Sequence, residues 1–396
     1  MKILHLSTRA SGGGAAIIAK QLNDGLNSAG EQSFILNQEN NFYSSIKAKA
    51  DKLITKIFLP AENRPYYTGI FSSLDWKKIK EIQPDIINLH WIGKSFVSLN
   101  DLAKFDCPVV WTLHDSWALN GASFFSNPDE SWKNGYKHKF FNLDYFIWKK
   151  KKKIYPKIKN LNIVAPSNWL SDRAKASLLL KNFPITTINN GIDLNLFRPH
   201  DKKSAREKLS LPPDKKIILY GADFTDPEKG FKCLCEAIKN LDAKKYFLVL
   251  FGSAQKIENL PISFTSLGLV KRENLPLIYS AADCFAAPYL EDNFPTTVLE
   301  AMACEVPVVG FRAGGIPEII DHEVNGYLAE KNSAEDLARG LLYILEGDER
   351  RKLIGTAARR KIQENFTLKK QADKYLELYK KILGVNIKTG FPSTRE

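Results

Sequence analysis

Cysteine is scarce in this sequence, and long apolar runs are missing. The 396 residues include five cysteines at scattered positions, and an odd number does not suggest a disulfide framework. Cys233 and Cys235 lie two residues apart in a predicted helix, so their thiols point in different directions and make a poor metal clip. No apolar run approaches the ~18 residues of a membrane-spanning helix. We therefore expect a protein of the reducing cytoplasm.

Two patterns of common nucleotide-binding sites are also missing. The glycines at 12–14 follow the first predicted strand, but they do not form G-x-G-x-x-G, and no acidic residue ends the second strand. A dinucleotide site of the usual kind is therefore not predicted. No Asp-x-Asp pair stands at a predicted strand end to hold a divalent ion, so the sequence predicts no metal site.

Basic residues are in excess, and the excess is uneven. The net charge is +13, and residues 1–200 carry 27 Lys and Arg against 16 Asp and Glu, which is +11 and leaves +2 for the rest. A positive field of this kind attracts nucleic acid, anionic lipid or a phosphorylated substrate. Because no recognisable nucleic-acid-binding module accompanies the charge, we expect no nucleic-acid partner.

Short apolar runs alternate with helical patterns, which predicts two successive α/β units with mainly parallel sheets. The first unit covers residues 1–190, and the second covers residues 195–367. Residues 37–75 show no clear period and predict a loop with short helices, and residues 184–199 predict a linker. An amphipathic final helix is expected at 368–383. Strands are predicted at 2–6, 32–36, 86–90, 109–113, 162–165, 217–220, 247–251, 264–267, 284–287 and 307–309, and further helices at 15–29, 230–240, 275–281, 297–304, 334–345 and 348–364.

Two features of the first unit follow predicted strands. Gly12, Gly13 and Gly14 precede a helix whose free N–H groups suit an anion, although an ordinary tight turn explains them equally well. His114 and Asp115 emerge from a buried strand, at the edge where open α/β sheets bind ligands. A histidine that only caps the strand end is the alternative.

The second unit has similar strand-to-helix loops. Lys229 precedes a glycine at a helix start and suits a phosphate, although a single lysine is more often a solvated surface residue. Gly314 and Gly315 open a further loop, for which a tight turn is the alternative.

The segment 291–300 combines two carboxylates with a helix start. Pro295, followed by Thr296 and Thr297, predicts an N-cap hydroxyl and a first turn of free N–H groups. Asp292 in the preceding loop suits sugar hydroxyls, and Glu300 suits a ribose diol. In the alternative, Asp292 is a helix cap and Glu300 a surface residue.

Together these motifs resemble the retaining glycosyltransferases of family four (glycosyl transferases group 1), of the bacterial surface-polysaccharide type. The resemblance covers nearly the whole chain and implies the GT-B fold, in which two Rossmann-like α/β domains face each other across a cleft. It is carried by E-D-N-F-P-T-T-V-L-E-A-M-A-C-E-V-P-V-V-G at 291–310, G-G-I-P-E-I-I at 314–320, P-S-N-W-L at 166–170, N-N-G-I-D at 189–193 and N-G-Y-L at 325–328.

The resemblance implies a nucleotide-sugar donor, either UDP- or GDP-linked, on the C-terminal domain and a saccharide or lipid-linked acceptor on the N-terminal domain. Transfer is expected by metal-independent front-face substitution, without a cofactor, in bacterial polysaccharide or glycan assembly. Lys229 would contact the diphosphate, Asp292 the sugar and Glu300 the ribose, with His114 near the sugar. The final helix would cross back onto the first domain. The residues expected to bind the donor are Gly13, Gly14, Lys229, Val270, Asp292, Asn293, Phe294, Pro295, Thr296, Thr297 and Glu300, and those expected to be catalytic are His114, Lys229, Asp292 and Glu300.

Three positions depart from the family pattern. Asp292 stands where the family has Glu, because counting back from Glu300 leaves Glu291 one residue early. Ala222 stands where an arginine is usual, so one phosphate cation is missing or comes from elsewhere, with Arg272 and Arg312 as candidates. Glu305 stands for a glycine, with little chemical weight.

A run of five lysines follows an aromatic stretch at 138–148. It predicts docking on the inner face of the cell membrane, and a solvated basic helix is the alternative. A GT-B epimerase or phosphorylase, and a catalytically silent sugar-nucleotide-binding protein, are the other functions to test. The lysines are Lys149, Lys150, Lys151, Lys152 and Lys153.

Overall fold

The computed structural model describes residues 1–58, 66–124, 130–136, 142–252, 257 and 259–385. The chain divides into two compact units. Unit 1 comprises residues 1–189 and 369–396, and unit 2 comprises residues 190–368. Each unit has a parallel sheet of six strands, so the predicted α/β class with two parallel-sheet units is confirmed.

Unit 1 has the strand order β2-β1-β3-β4-β5-β6. Its strands are rich in Ile, Val and Leu, and its central strands are buried, as in sheets that helices cover on both faces. Since β1 pairs with β2 on one side and β3 on the other, the chain changes direction at β1. The elements are β1 (Lys2–Ser7), α1 (Gly14–Ser28), β2 (Gln32–Asn37), α2 (Phe42–Phe58), α3 (Trp76–Ile82), β3 (Ile86–Leu89), α4 (Leu99–Leu102), β4 (Val109–Thr112), α5 (Ser131–Asn134), α6 (Leu143–Ile154), β5 (Leu161–Ala165), α7 (Asn168–Ala176) and β6 (Ile185–Thr187).

Unit 2 repeats this architecture with the strand order β12-β11-β10-β7-β8-β9. Its change of direction lies between β7 and β10, which pair directly. The elements are α8 (Lys202–Lys208), β7 (Lys216–Gly221), α9 (Phe231–Ala237), β8 (Tyr246–Phe251), β9 (Phe264–Ser266), α10 (Leu275–Ala281), β10 (Cys284–Ala287), α11 (Thr296–Ala303), β11 (Val308–Phe311), α12 (Ile316–Ile319), β12 (Gly326–Ala329), α13 (Ala334–Leu345) and α14 (Asp348–Asn365).

The last helix, α15 (Leu368–Leu383), packs in unit 1 through an apolar stripe. Asn88 on β3 donates a hydrogen bond of 2.6 Å to the Tyr379 hydroxyl. The hydroxyls of Thr112 on β4 and Tyr375 are 2.9 Å apart. These buried polar contacts fix the position of α15 on the strands of unit 1.

Most predicted elements are present, and three predictions were wrong. The linker prediction overlooked β6, which pairs with β5 as a short edge strand. A loop with short helices was expected where the 17-residue helix α2 lies, and the strand β12 was not predicted. None of the helices among the described residues has the length and apolarity needed to cross a bilayer.

Candidate functional site

The change of direction in the sheet of unit 2 brings two charged residues together. Open α/β sheets bind ligands beyond the carboxyl ends of their strands at such a point. Lys229 lies in the connection after β7, and Asp292 lies in the connection after β10. Lys229 Nζ is 2.6 Å from Asp292 Oδ2, and these side chains are 26% and 18% exposed. The pair is therefore held in place and still accessible to a ligand.

The two loops that carry this pair touch closely. Gly230 has φ 65°, and a Cβ on it would lie 1.8 Å from the Pro288 carbonyl oxygen, so only glycine fits there. Leu290 N–H donates a hydrogen bond of 2.7 Å to the Glu228 carbonyl. The loop after β7 is thereby fixed to the loop after β10, which sets the position of Lys229.

The charge of Lys229 is maintained by its surroundings. Burial lowers the pKa of the Lys229 ammonium, but the nearby Asp292 carboxylate and Tyr289 raise it by more, and the pKa lies above its usual range. The ammonium also lies 5.0 Å from the centre of the Tyr289 ring. Lys229 is therefore a fixed positive charge at neutral pH.

The Gly314-Gly315 loop supports the backbone of Asp292. Gly315 N–H donates a hydrogen bond of 2.9 Å to the Asp292 carbonyl. A Cβ on Gly314, which has φ 58°, would lie 2.0 Å from the same oxygen. The Asp292 carboxylate accepts a hydrogen bond of 3.2 Å from Phe294 N–H. These glycines thus serve a close backbone approach as well as a turn.

Helix α11 begins directly after this loop. Pro295 is its N-cap residue, and no side chain caps the helix start. The prediction of an N-cap threonine hydroxyl was therefore wrong, because Thr296 is already helical and Thr297 turns its hydroxyl to within 3.0 Å of the Tyr289 hydroxyl. Val270, in the loop after β9, packs partly buried against the core of unit 2.

Glu300 on α11 is buried, so the alternative of a surface residue is excluded. The whole residue is 2% exposed. Burial raises the pKa of its carboxyl, whereas Arg272 and Tyr279 lower it. Arg272 Nη1 donates to Oε1 at 2.9 Å, and the Tyr279 hydroxyl donates to Oε2 at 2.9 Å. A carboxylate has about four lone-pair sites, so these two donors leave acceptor capacity.

Neither arginine named as a substitute for the missing cation stands alone. Arg272 pairs with Glu300 at 2.9 Å, and Arg312 pairs with Glu330 at 3.2 Å. Lys229 is consequently the basic side chain that the structure brings to Asp292.

Unit 1 carries three histidines in a chain. His5 on β1, His90 after β3 and His114 after β4 are side by side because these strands are neighbours. His5 Nδ1 is 3.0 Å from His90 Nε2, and His90 Nδ1 is 3.0 Å from His114 Nε2. His5 Nε2 is 3.1 Å from Ser33 Oγ. His5 and His90 are buried, and His114 is half-buried at the end of the chain.

Burial keeps these imidazoles neutral. Desolvation lowers the pKa of His5 to about 3 and that of His114 to about 4. It also lowers the pKa of His90, to which the two neighbouring imidazoles contribute. A neutral imidazole has one donor and one acceptor nitrogen, so the tautomer of His5 fixes that of His90 and then that of His114.

Asp115 lies beside His114 in a pocket lined largely by aromatic rings, including Trp91 and Trp117. Burial raises the Asp115 pKa to about 6, although the Trp117 N–H, which donates at 2.8 Å, acts in the opposite direction. His114 and Asp115 therefore place a neutral imidazole beside a carboxylate in an aromatic pocket at the strand ends.

Gly13 and Gly14 lie at the same strand ends, where α1 begins. Gly13 is the N-cap residue with φ 87°, and no side chain caps the helix. A Cβ on Gly13 would meet only the Arg9 side chain at 3.8 Å, and one on Gly14 would meet nothing within 4 Å. The space around this helix start is open.

Two family models match the chain. The model described as Glycosyltransferase Family 4 matches residues 12–196, and the model described as Glycosyl transferases group 1 matches residues 201–361. The chain belongs to the family 4, group 1 glycosyltransferases.

This glycosyltransferase resembles curated relatives over part of their length. It is 28% identical over 216 residues to N-acetyl-alpha-D-glucosaminyl L-malate synthase of Bacillus anthracis, covering 52% of this chain and 56% of the relative. The chain spans about half the length of the curated relatives that it matches first.

Solved structures show the same fold over nearly the whole chain. Sucrose-phosphate synthase from Thermosynechococcus elongatus aligns with a TM-score of 0.74 and 19% identity, covering 97% of this chain and 100% of that one. Anabaena HepE, solved in complex with UDP-glucose, aligns with a TM-score of 0.68 and 18% identity, covering 96% and 100%. The fold of the glycosyltransferase is therefore GT-B.

Of the five lysines predicted to dock on the membrane, Lys151 cannot take part, and docking through the other four stays a prediction. Lys151 of α6 is fully buried, and its ammonium donates to the carbonyls of Asn120 at 3.0 Å, Gly121 at 2.7 Å and Trp117. Burial lowers its pKa, with Asp115 acting in the opposite direction. The five lysines therefore do not form one surface patch. The aromatic residues at 138–141 lie outside the described residues.

Sequence reasoning missed several residues that shape both sites. His90 contacts His114, and His5 contacts His90. Each of these two histidines interrupts or ends an apolar strand, which is a signal that the sequence offers. Tyr279 and Tyr289 gave no such signal, because a tyrosine within an apolar run looks like an ordinary core residue.

Proposed function

We propose that this glycosyltransferase moves a sugar from a UDP- or GDP-linked donor to a saccharide or lipid-linked saccharide, with retained anomeric configuration and without a metal ion. The observation that carries the proposal is the Lys229–Asp292 pair where the sheet of unit 2 changes direction, 2.6 Å apart and accessible. The UDP-glucose bound to the related HepE fold supports the choice of a nucleotide sugar.

Each member of the pair has a distinct task. The diphosphate of the donor attracts the Lys229 ammonium away from Asp292, and the released carboxylate accepts hydrogen bonds from sugar hydroxyls. The uncapped start of α11, next to Asn293, directs N–H groups toward the same ligand. In this arrangement fixed charges and amide dipoles stabilise the departing nucleoside diphosphate.

Glu300 would bind the ribose diol through the acceptor capacity that Arg272 and Tyr279 leave. Those two donors hold the carboxylate in one orientation, so it enters the complex without reorganisation. Val270 would line the nucleoside end of the site.

Retention follows if the acceptor hydroxyl attacks the anomeric carbon from the face that the diphosphate leaves. The new C–O bond forms as the C–O bond to phosphate breaks, and the hydroxyl proton passes to the departing phosphate oxygen. His114, neutral and held by His90, would lie near the sugar. The start of α1, at Gly13 and Gly14, would lie near the phosphates.

We further propose that the enzyme works in bacterial polysaccharide or glycan assembly, in the cytoplasm or at the inner face of the membrane. The family resemblance supports this placement. A lipid-linked acceptor also requires the enzyme to work at a lipid surface.

The test is a transfer assay with a panel of UDP- and GDP-sugars, comparing Lys229→Ala with Lys239→Ala. Lys239 pairs with Glu236 at the same 2.6 Å, but on an exposed surface. Lys229→Ala should lower kcat/KM by about 100-fold or more, and Lys239→Ala should leave it unchanged. Equal activity of the two variants would contradict the assignment.

The same assay separates the other functions. Conversion of the donor to an epimer without an acceptor would indicate an epimerase. Transfer that requires inorganic phosphate would indicate a phosphorylase, and donor binding without transfer or hydrolysis would indicate a silent binding protein. The anomeric configuration of the product, measured by NMR before it equilibrates, tests retention.

A further inference from the structure

Helix α2 has its apolar side chains outside and its polar side chains inside. Six of the fourteen large apolar side chains that are exposed among the described residues belong to this one helix. Its buried residues are Ser44, Asp51 and Thr55. Helices of globular proteins show the opposite arrangement, with the apolar stripe facing the core. The exposed residues, with their exposure, are Phe42 (74%), Tyr43 (72%), Ile46 (47%), Leu53 (58%), Ile57 (62%) and Phe58 (46%).

The spacing shows that this is one continuous face. Phe42, Ile46, Leu53 and Ile57 follow each other at intervals of four, seven and four residues, which places them within about 60° on a helix of 3.6 residues per turn. The buried residues lie on the opposite side of the same helix. We call the outward side, with its lysines, the α2 face.

The polar side is anchored in unit 1. Asp51 accepts hydrogen bonds from the N–H and the hydroxyl of Thr68. Lys47 Nζ donates to the Ser72 carbonyl at 2.6 Å, and Ser44 Oγ donates to the Glu39 carbonyl at 2.7 Å. These hydrogen bonds would be lost if the helix turned its apolar side inward. They therefore hold the α2 face on the outside of unit 1.

The charge of the α2 face indicates what kind of partner it binds. Lys49, Lys52 and Lys56 are exposed along the edge of the apolar stripe. Asp51 is the only acidic residue of α2, and it is buried. An apolar stripe bordered by lysines is typical of helices that lie in the interface of an anionic bilayer. Two copies of the α2 face would bring like charges together, which disfavours self-association.

We infer that the α2 face is a membrane-docking surface, which inserts its apolar side chains into the interface of an anionic bilayer while its lysines contact the lipid headgroups. The inference does not depend on the transferase chemistry. If the proposed function holds, the surface would bring the enzyme to a lipid-linked acceptor.

Helix α6 offers a matched control. Lys149, Lys152 and Lys153 are also exposed, but Phe146 is the single large apolar side chain that α6 exposes among the described residues. Removing three lysines from either helix changes the charge equally. The two surfaces therefore differ chiefly in the apolar stripe.

The experiment is co-sedimentation of the full chain with vesicles of phosphatidylcholine, with and without phosphatidylglycerol. The variants are the triple serine I46S/L53S/I57S, the triple glutamine K49Q/K52Q/K56Q and the control K149Q/K152Q/K153Q. Wild type should bind the anionic vesicles. Both α2 variants should bind at least about tenfold more weakly, and the control should lose less than about threefold. All the substituted side chains are exposed, so the thermal melts should match wild type.

Several results would overturn the inference. These are failure of wild type to bind anionic vesicles, unchanged binding of I46S/L53S/I57S, or an equal loss in the α6 control. A wild-type dimer in sedimentation velocity that the serine variant dissociates would assign the α2 face to a second copy of the chain instead. Transfer to a soluble acceptor should be equal in wild type and the α2 variants, so failure of the proposed function is seen separately.

Discussion

The two units place different chemistry at equivalent edges of similar sheets. In unit 2 the strand ends carry charges held in pairs, Lys229 with Asp292 and Arg272 with Glu300. In unit 1 the strand ends carry the neutral imidazole of His114 and an aromatic pocket. The parallel sheet supplies the position, and the side chains decide what is bound.

This difference matches the two substrates of the proposed reaction. A nucleoside diphosphate is an anion, and fixed charges bind it and stabilise it as a leaving group. A sugar hydroxyl is neutral and needs hydrogen-bond partners with defined donor and acceptor atoms, and in the proposed function His114 would be such a partner. Variants that change the charges of unit 2 and variants that change the histidines of unit 1 should therefore affect different steps of the proposed reaction.

Among the variants that test this comparison between the two units, those at Asp292 should have the largest effect on activity. Asp292→Asn should lower kcat by about 100- to 1,000-fold, because the charge partner of Lys229 and an acceptor for the sugar are both lost. Asp292→Glu restores the carboxylate found in the family pattern and should retain more activity than Asn while altering the preference among donor sugars. Steady-state kinetics with each donor measures both effects. Equal rates for the Asn and Glu variants would contradict the role of the charge.

Truncating Glu300 should lower stability in addition to weakening donor binding. Glu300→Ala leaves Arg272 without its partner and should lower the free energy of unfolding by about 3 kcal/mol. Glu300→Gln keeps the shape and should cost less, so it is the better variant for kinetics. The exposed Glu335→Ala should change the free energy by less than about 0.5 kcal/mol. Urea unfolding measures these differences, and a Glu300→Ala variant as stable as wild type would refute the buried pair.

The histidines of unit 1 should make stability depend on pH. Their folded pKa values lie below the usual 6.5, so the unfolded chain binds more protons, and stability present above pH 6.5 is lost as the pH falls toward 4. Between pH 7 and pH 5, His5 and His114 should each lower the free energy of unfolding by about 2 kcal/mol. Asp115 acts in the opposite sense. Its pKa is raised to about 6, so the folded chain binds more protons than the unfolded chain, and stability increases as the pH falls.

His5→Gln isolates one member of that chain. Between pH 7 and pH 5, the free energy of unfolding of the variant should fall by about 2 kcal/mol less than that of wild type, as measured by urea unfolding at each pH. A loss identical to that of wild type would show that His5 is protonated in the folded protein at the lower pH.

Much of this architecture follows from local patterns, and the exceptions have physical causes. The apolar runs gave most strands, and the Lys229 and Asp292 loops followed from their places after strands, since parallel strand ends meet at one edge. Helix α2 was missed because Tyr43, Ile54 and Phe58 lie off its main apolar stripe and obscure the helical period. Lys151 was misassigned because a buried lysine depends on three carbonyls from residues 117–121, which no local pattern reveals.

The central claim is that Lys229 binds the donor diphosphate, and calorimetric titration of UDP and GDP tests it most directly. Wild type should bind one of the two nucleotides, Lys229→Ala should bind it at least about tenfold more weakly, and Lys239→Ala should bind it as wild type does. Nucleotide affinity unchanged in Lys229→Ala, with its fold intact, would contradict the account.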